Sequence, residues 1–148
     1  MPFQSILVPV DYSEPSRRAL ELALSLAGGA QVTVVHVWDR PPYVGEEVVA
    51  HADGSRRSLS DLIRSNAERD MTDFLAQVSI PKGTTLQHHL ISGDPVSGII
   101  AEASKLGYDV LVVGTHGRTG MTKLLLGSVT ERLIRLSPIP VLTVPPAR

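Results

Sequence analysis

The residues best able to do chemistry are concentrated in Gly114-Thr115-His116-Gly117-Arg118-Thr119-Gly120 and, further on, Gly127-Ser128-Val129-Thr130. Two residues separate Gly114 from Gly117 and nine separate Gly117 from Gly127, giving the pattern G-x2-G-x9-G-S. Glycines that follow a strand let backbone amides approach an anion without side-chain interference. The open amides and dipole at a helix start then favour phosphate. Ser128 adds a hydroxyl donor, and Ser128 with Glu131 has the spacing of a capping box. A second group is Asp11, which ends the apolar run Ile6 to Val10. Its carboxylate can meet hydroxyls or a cation, or can help to cap the helix that Ser13 begins.

Neither of the two common nucleotide fingerprints is present. No G-x4-G-K-[ST] occurs, and the first apolar run leads into Pro9-Val10-Asp11-Tyr12-Ser13 without glycine. Arg118 and Lys123 share the glycine-rich segment with His116, and charges on such a loop are more often solvated than bound. His36 has no second histidine or carboxylate at ligand spacing, so it reads as a satisfied core or rim histidine. His88 and His89 alternate across a strand, which lets one of the pair point inward and makes a two-histidine metal site a poor reading. Trp38 reads as packing at the sheet rim. No G-x-S-x-G elbow is found, and Asp11 and His116 make no compelling base for activating water.

The chain that must position these groups has 148 residues, 43% hydrophobic and 20% charged. That is enough for one ordinary domain with a full core, expected over residues 1–148. Zero cysteines exclude a disulfide framework, a thiolate zinc site, an iron–sulfur cluster and cysteine nucleophiles. With 14 basic and 15 acidic residues the formal charge is -1. No electrostatic footprint for nucleic acid or anionic lipid results. The opening Met1-Pro2-Phe3-Gln4-Ser5 has no positive region, and Asp11 interrupts the apolar run far short of a signal peptide or membrane span. A cytoplasmic protein is expected.

Ile6 to Val10 is continuously apolar, the mark of a strand buried on both faces of a parallel sheet. Ser13, Glu14 and Pro15 open a helix with Ala19, Leu20, Ala23, Leu24 and Ala27 on its apolar face, closed by Gly28-Gly29. Val32 to Trp38 forms a second strand, and residues 39–57 are an irregular connection. From Leu59 to Val78 apolar residues recur at three and four positions, predicting a second helix. Thr84 to Ile91 is a third strand; Asp94-Pro95 opens a third helix, with Ile99, Ile100, Ala103 and Leu106 inward and Gly107 as terminator. Asp109 to Val113, Ser128 to Leu136 and Val141 to Val144 complete the order as strand, helix and strand. Strict alternation predicts an α/β fold, a single doubly wound open sheet of five parallel strands with helices on both faces, Rossmann-like. Ligands of such sheets bind beyond the carboxyl ends of the strands, which directs attention to the loops after the first and fourth strands.

The chain resembles the universal stress protein family, and particularly its ATP-binding branch, over nearly its whole length. The resemblance rests on Ile6-Leu7-Val8-Pro9-Val10-Asp11, His36-Val37, the run from Val112 to Gly120, Gly127-Ser128-Val129-Thr130, and Pro138-Ile139-Pro140-Val141-Leu142-Thr143-Val144. It implies the strand order 3-2-1-4-5. It further implies that Pro9, Val10 and Val37 line the adenine and ribose end of a site for ATP with Mg²⁺ or Mn²⁺. Asp11 would meet ribose hydroxyls or a phosphate-bound metal, and Val113 would close the wall. Gly114, Gly117, Gly127, Ser128, Val129 and Thr130 would hold phosphates, with Thr115, His116, Arg118, Thr119 and Gly120 on the loop between. A homodimer through the last strand, Val141, Leu142, Thr143 and Val144, is also implied, although the prolines around that strand could instead discourage pairing.

Three functions compete on these residues. The first is an ATP-binding stress-response regulator in which nucleotide, at most slowly hydrolysed, biases a conformation or a protein partner. The second is a true ATP hydrolase or transferase, for which no second substrate is legible. The third is a nucleotide-independent homodimeric interaction module.

Overall fold

The structure is a computed structural model that describes residues 3–38, 48–50, 54, 56–105, 107–116 and 126–147. Its elements are β1 (Ser5–Pro9), α1 (Glu14–Leu26), β2 (Gln31–Trp38), β3 (Val48–Ala50), β4 (Arg56–Ser58), α2 (Leu59–Leu75), β5 (Thr85–Ser92), α3 (Pro95–Ala103), β6 (Val110–Gly114), α4 (Ser128–Leu136) and β7 (Val141–Val144). Five strands form one parallel sheet in the order β5-β2-β1-β6-β7. This is the expected order 3-2-1-4-5 of the main strands. Ile6 stands opposite Val32 on one side and Val110 on the other, so β1 is the centre of the sheet.

Alternation along the strands divides the core in two. Ile6, Val8, Val32, Val34 and Val112 pack with Ala19, Leu20 and Ala23 of α1 and Met71 and Phe74 of α2. Leu7, Val35, Val37, Leu111 and Val113 pack instead with Val96 and Ile99 of α3 and Leu133 of α4. The continuous apolar character of β1 and β6 is explained by this burial on both faces. No helix among the described residues is long and apolar enough to cross a membrane.

Several expectations change at the boundaries. Within the stretch expected to be irregular, Val48–Ala50 pairs antiparallel with Arg56–Ser58, a hairpin whose three-residue strands are too short to show a period. Helix α2 stops at Leu75, leaving Val78 beyond the helix, where it packs against the core at its edge. Helix α3 ends at Ala103, short of Gly107, and Leu106 lies outside the described residues. Gly127, not Ser128, is the cap of α4 and no side-chain bond closes that end, so the capping box read from Ser128 and Glu131 is not formed.

Helix α3 is clamped at its far end by a buried acid. The Glu102 carboxylate, 3% exposed, accepts from the Tyr108 hydroxyl at 2.7 Å and pairs with Lys105 Nζ at 2.7 Å. Burial alone would raise its pKa, but the bonds from Lys105 and Tyr108 outweigh that and hold it below the ordinary value. Burial and the bond to Glu102 push the Tyr108 hydroxyl up to about 12.

Candidate functional site

At the middle of the sheet, β1 and β6 are neighbours, but their chains leave toward opposite faces, β1 into α1 and β6 toward α4. Such a divergence opens a crevice at the carboxyl ends of the strands. Here it forms a cleft of about 330 Å³. That volume lies near the lower end of the small-molecule range, about 300–1,000 Å³.

Part of the cleft lining is apolar, from Val37, Ile99, Val113 and Leu133 with Pro9 and Pro95. The rest comes from Asp11, Ser16, Gly114, His116 and the start of α4 from Gly127 to Thr130. The division suits a ligand with a flat apolar part and a polar, charged part.

The turn that places Asp11 is built by a local bond chain. Val10 N–H donates to the Val35 carbonyl at 2.8 Å, carrying the strand pairing past the end of β1. Asp11 Oδ1 accepts from Ser13 N at 3.0 Å and from the Ser13 hydroxyl. Ser13 in turn caps α1 by accepting from Ser16 N at 3.3 Å. Asp11 thus both lines the cleft and braces the cap, so the two readings of this residue are not alternatives.

Between them, Tyr12 has a φ of +65°, a left-handed conformation that disfavours a side chain. Its ring lies 4.3 Å from that of His36 and 5.4 Å from that of Phe74, contacts that offset the strain. His36 Nδ1 lies 2.8 Å from the Val10 carbonyl. A carbonyl accepts only, so Nδ1 carries the proton and donates. His36 is therefore the satisfied rim histidine that its isolation suggested, and it also lines the cleft.

Gly114 closes β6 where α1 passes closest. A β-carbon at this position would stand 3.1 Å from the Pro15 carbonyl oxygen, so the tight backbone contact favours glycine. The Gly114 carbonyl accepts from the buried Thr130 hydroxyl at 2.7 Å, which fastens the first turn of α4 to the end of β6. That proton is committed, so what Thr130 can offer an anion is its amide. Ser128, Val129 and Thr130 precede the first intrahelical bond, from Glu131 N–H to the Gly127 carbonyl at 3.0 Å, and among the described residues no side chain caps them.

Of the expected site residues, Pro9, Val10, Asp11, Val37, Val113, Gly114, His116, Gly127, Ser128, Val129 and Thr130 are brought together around the cleft. Thr115 is not on its wall. It is buried, with Oγ1 2.8 Å from His116 Nδ1, its amide donating to the Val144 carbonyl and its carbonyl accepting from Gly127 N–H. Gly117, Arg118, Thr119 and Gly120 lie outside the described residues. Ser16, Pro95, Ile99 and Leu133 line the cleft without having been singled out. The signal for Ile99 and Leu133 was apolar periodicity, which cannot tell a core contact from a ligand wall. No group of three or more metal-ligating side chains occurs among the described residues.

Comparison with known proteins agrees with the fold. The chain is 31% identical over 144 residues to the universal stress protein MJ0531 of Methanocaldococcus jannaschii, covering 96% of this chain and 82% of that one. The solved structure of MJ0577, from the same organism, superposes with a TM-score of 0.75 at 28% identity, over 100% of this chain and 99% of that one. A universal stress protein family member of Arabidopsis thaliana, solved with AMP bound, shares the fold with a TM-score of 0.59 at 19% identity over 95% of this chain and 90% of that one. The sequence profile described as the universal stress protein family matches residues 2–145, and this chain belongs to that family.

Proposed function

We propose that this protein binds ATP in the cleft between β1 and β6 and acts as a regulatory switch, with bound nucleotide controlling a conformation or a partner surface in the cytoplasm. The observation that carries the reading is the uncapped start of α4, which lines a cleft that also holds a carboxylate and an apolar slot. Adenine fits the slot of Val37, Ile99 and Val113, and the ribose comes near Asp11. The phosphates meet Gly114 and the amides of Ser128, Val129 and Thr130, with Gly117, Arg118, Thr119 and Gly120 contributing from the intervening loop. The family member that holds AMP supports an adenine nucleotide as the ligand. A divalent ion, Mg²⁺ or Mn²⁺, would supply countercharge to the triphosphate, and Asp11 is the described carboxylate on the cleft wall suited to meet it.

Binding is favoured over turnover by the state of the candidate bases. Asp11 Oδ1 already accepts two Ser13 donors, and a His116 ring nitrogen is engaged with Thr115. These contacts orient both groups within the protein and mark neither as a dedicated base, which fits hydrolysis that is at most slow. A second copy of the chain completes the reading. β7 is an edge strand with Val141, Leu142 and Thr143 half-buried, and an open edge of this kind pairs readily.

The test is one preparation. Protein purified without added nucleotide is heat-denatured and its supernatant chromatographed, and emptied protein is titrated with ATP and Mg²⁺ by calorimetry and sedimented. Released adenine nucleotide, or binding at about micromolar Kd, and a mass of two chains are expected. Absence of both released nucleotide and binding up to about millimolar ATP overturns the nucleotide reading, and leaves the dimeric module if the mass is still two chains.

A further inference from the structure

Glycine is the poorest residue after proline for a helix interior, yet Gly98 stands fourth of nine residues in α3. Its backbone is helical and would accept any side chain, so the reason must lie in what the helix touches. A β-carbon at this position would stand 3.0 and 3.1 Å from the two γ-carbons of Val37 and 3.4 Å from Cγ2 of Ile91. Carbon atoms in ordinary contact keep about 3.5–4.0 Å apart. The missing methyl lets α3 seat directly on the carboxyl end of β2.

That seat matters because both elements contribute apolar side chains to the cleft lining. Val37 comes from β2, and Pro95 and Ile99 come from α3 on either side of Gly98. The far end of the helix is fixed by the buried Glu102 with Lys105 and Tyr108. Sliding the whole helix to relieve crowding at Gly98 would have to break the bond between Glu102 and Tyr108. Either Val37 is driven toward the cleft or the first turn of α3, with Pro95 and Ile99, is lifted away. Both change the width of the apolar slot.

We propose that Gly98 is a positioning residue for the base end of the cleft, setting the spacing between Val37 and α3 that admits a planar purine. The proposal rests on the nucleotide reading above. It concerns the width of the slot and leaves the phosphate end untouched.

The test is a double-mutant cycle with Gly98→Ala and Val37→Ala, read by calorimetry with ATP and with AMP. Gly98→Ala is expected to weaken both nucleotides by the same factor, about tenfold, while the chain still folds, because the helix propensity gained by alanine offsets part of the crowding. In the Val37→Ala background, where the clashing methyls are gone, the same change is expected to cost less than about threefold. Natural chain that binds while Gly98→Ala binds equally well overturns the positioning role alone. An equal loss in both backgrounds also overturns it, since the effect would then not pass through Val37. If Gly98→Ala fails to fold, the double variant relieves the contact and must fold and bind ATP; one that does not overturns the proposal. A natural chain that binds no adenine nucleotide overturns the proposed function and this role together.

Discussion

Helices α3 and α4 lie on the same face of the sheet and begin at the same end, yet the chain treats their first turns differently. Asp94 caps α3, its Oδ2 accepting from Ser97 N–H at 2.9 Å. Bonds from the Ser97 amide and side chain hold the Asp94 carboxyl below its ordinary pKa, helped by the charge of Arg132. Helices α1 and α2 are capped in the same spirit by Ser13 and Ser58. Helix α4 has Gly127 in that place and no side-chain bond. Where the protein supplies its own acceptor, the helix start is closed to an outside anion. Where it withholds one beside a cleft, the same amides and dipole stay available.

The sharpest way to break this contrast is to make the two helices alike. At Gly127 the backbone, with φ of −61° and ψ of 150°, suits any residue, so Gly127→Asp installs on α4 the cap that α3 already has. Calorimetry is expected to show ATP binding weakened by about a hundredfold or more, through occupation of the amides and repulsion of phosphate, while the unfolding midpoint holds or rises. Unchanged affinity would mean that the open amides do not meet the ligand.

A smaller effect comes from loosening α4 while leaving its amides bare. Thr130→Val removes the hydroxyl that donates to the buried Gly114 carbonyl. It should cost about 1–3 kcal/mol in urea unfolding. ATP affinity should fall by about tenfold or less, well short of the loss in Gly127→Asp.

The smallest effect is expected at α3. Asp94→Ala should lower the urea midpoint modestly and leave ATP affinity within about twofold, because Asp94 is not among the residues that line the cleft. The folded pKa of Asp94 is depressed, so its contribution is present above the ordinary carboxylate range and is lost as pH falls through the depressed value. The midpoints of the natural chain and the variant should therefore converge in acid, below about pH 4. A gap that persists there would show that the cap acts through something other than its charge.

Legibility in the sequence followed the range of the interactions. The apolar runs at Ile6 to Val10 and Val110 to Val113 declared a sheet covered on both faces because every residue of a buried parallel strand meets a helix. That Asp11, Gly114 and Gly127 would lie around one cleft was legible because each stands where a strand leads toward a helix at the same end of the sheet. Features made by contacts distant in sequence were hidden. Nothing near Gly98 announces that its missing methyl accommodates Val37, and nothing near Thr130 announces that its hydroxyl is spent on Gly114. The left-handed backbone of Tyr12 was likewise silent, since the rings of His36 and Phe74 that hold it arrive from other elements. The hairpin at Val48–Ala50 and Arg56–Ser58 escaped because three residues cannot display a two-residue period.

The bond from Gly127 N–H to the Thr115 carbonyl at 2.8 Å joins the two ends of the segment between β6 and α4. Its anchor is sound at both sides, since Thr115 is tied to Val144 and α4 is tied to Gly114. The stem is thus closed by groups outside residues 117–125, and closing a longer loop on it costs only about 0.6 kcal/mol for each doubling of length. The sheet and the start of α4 are thus held together without help from residues 117–125. Substitutions in that segment can therefore be tested for their effect on ligand binding separately from their effect on the stability of the sheet.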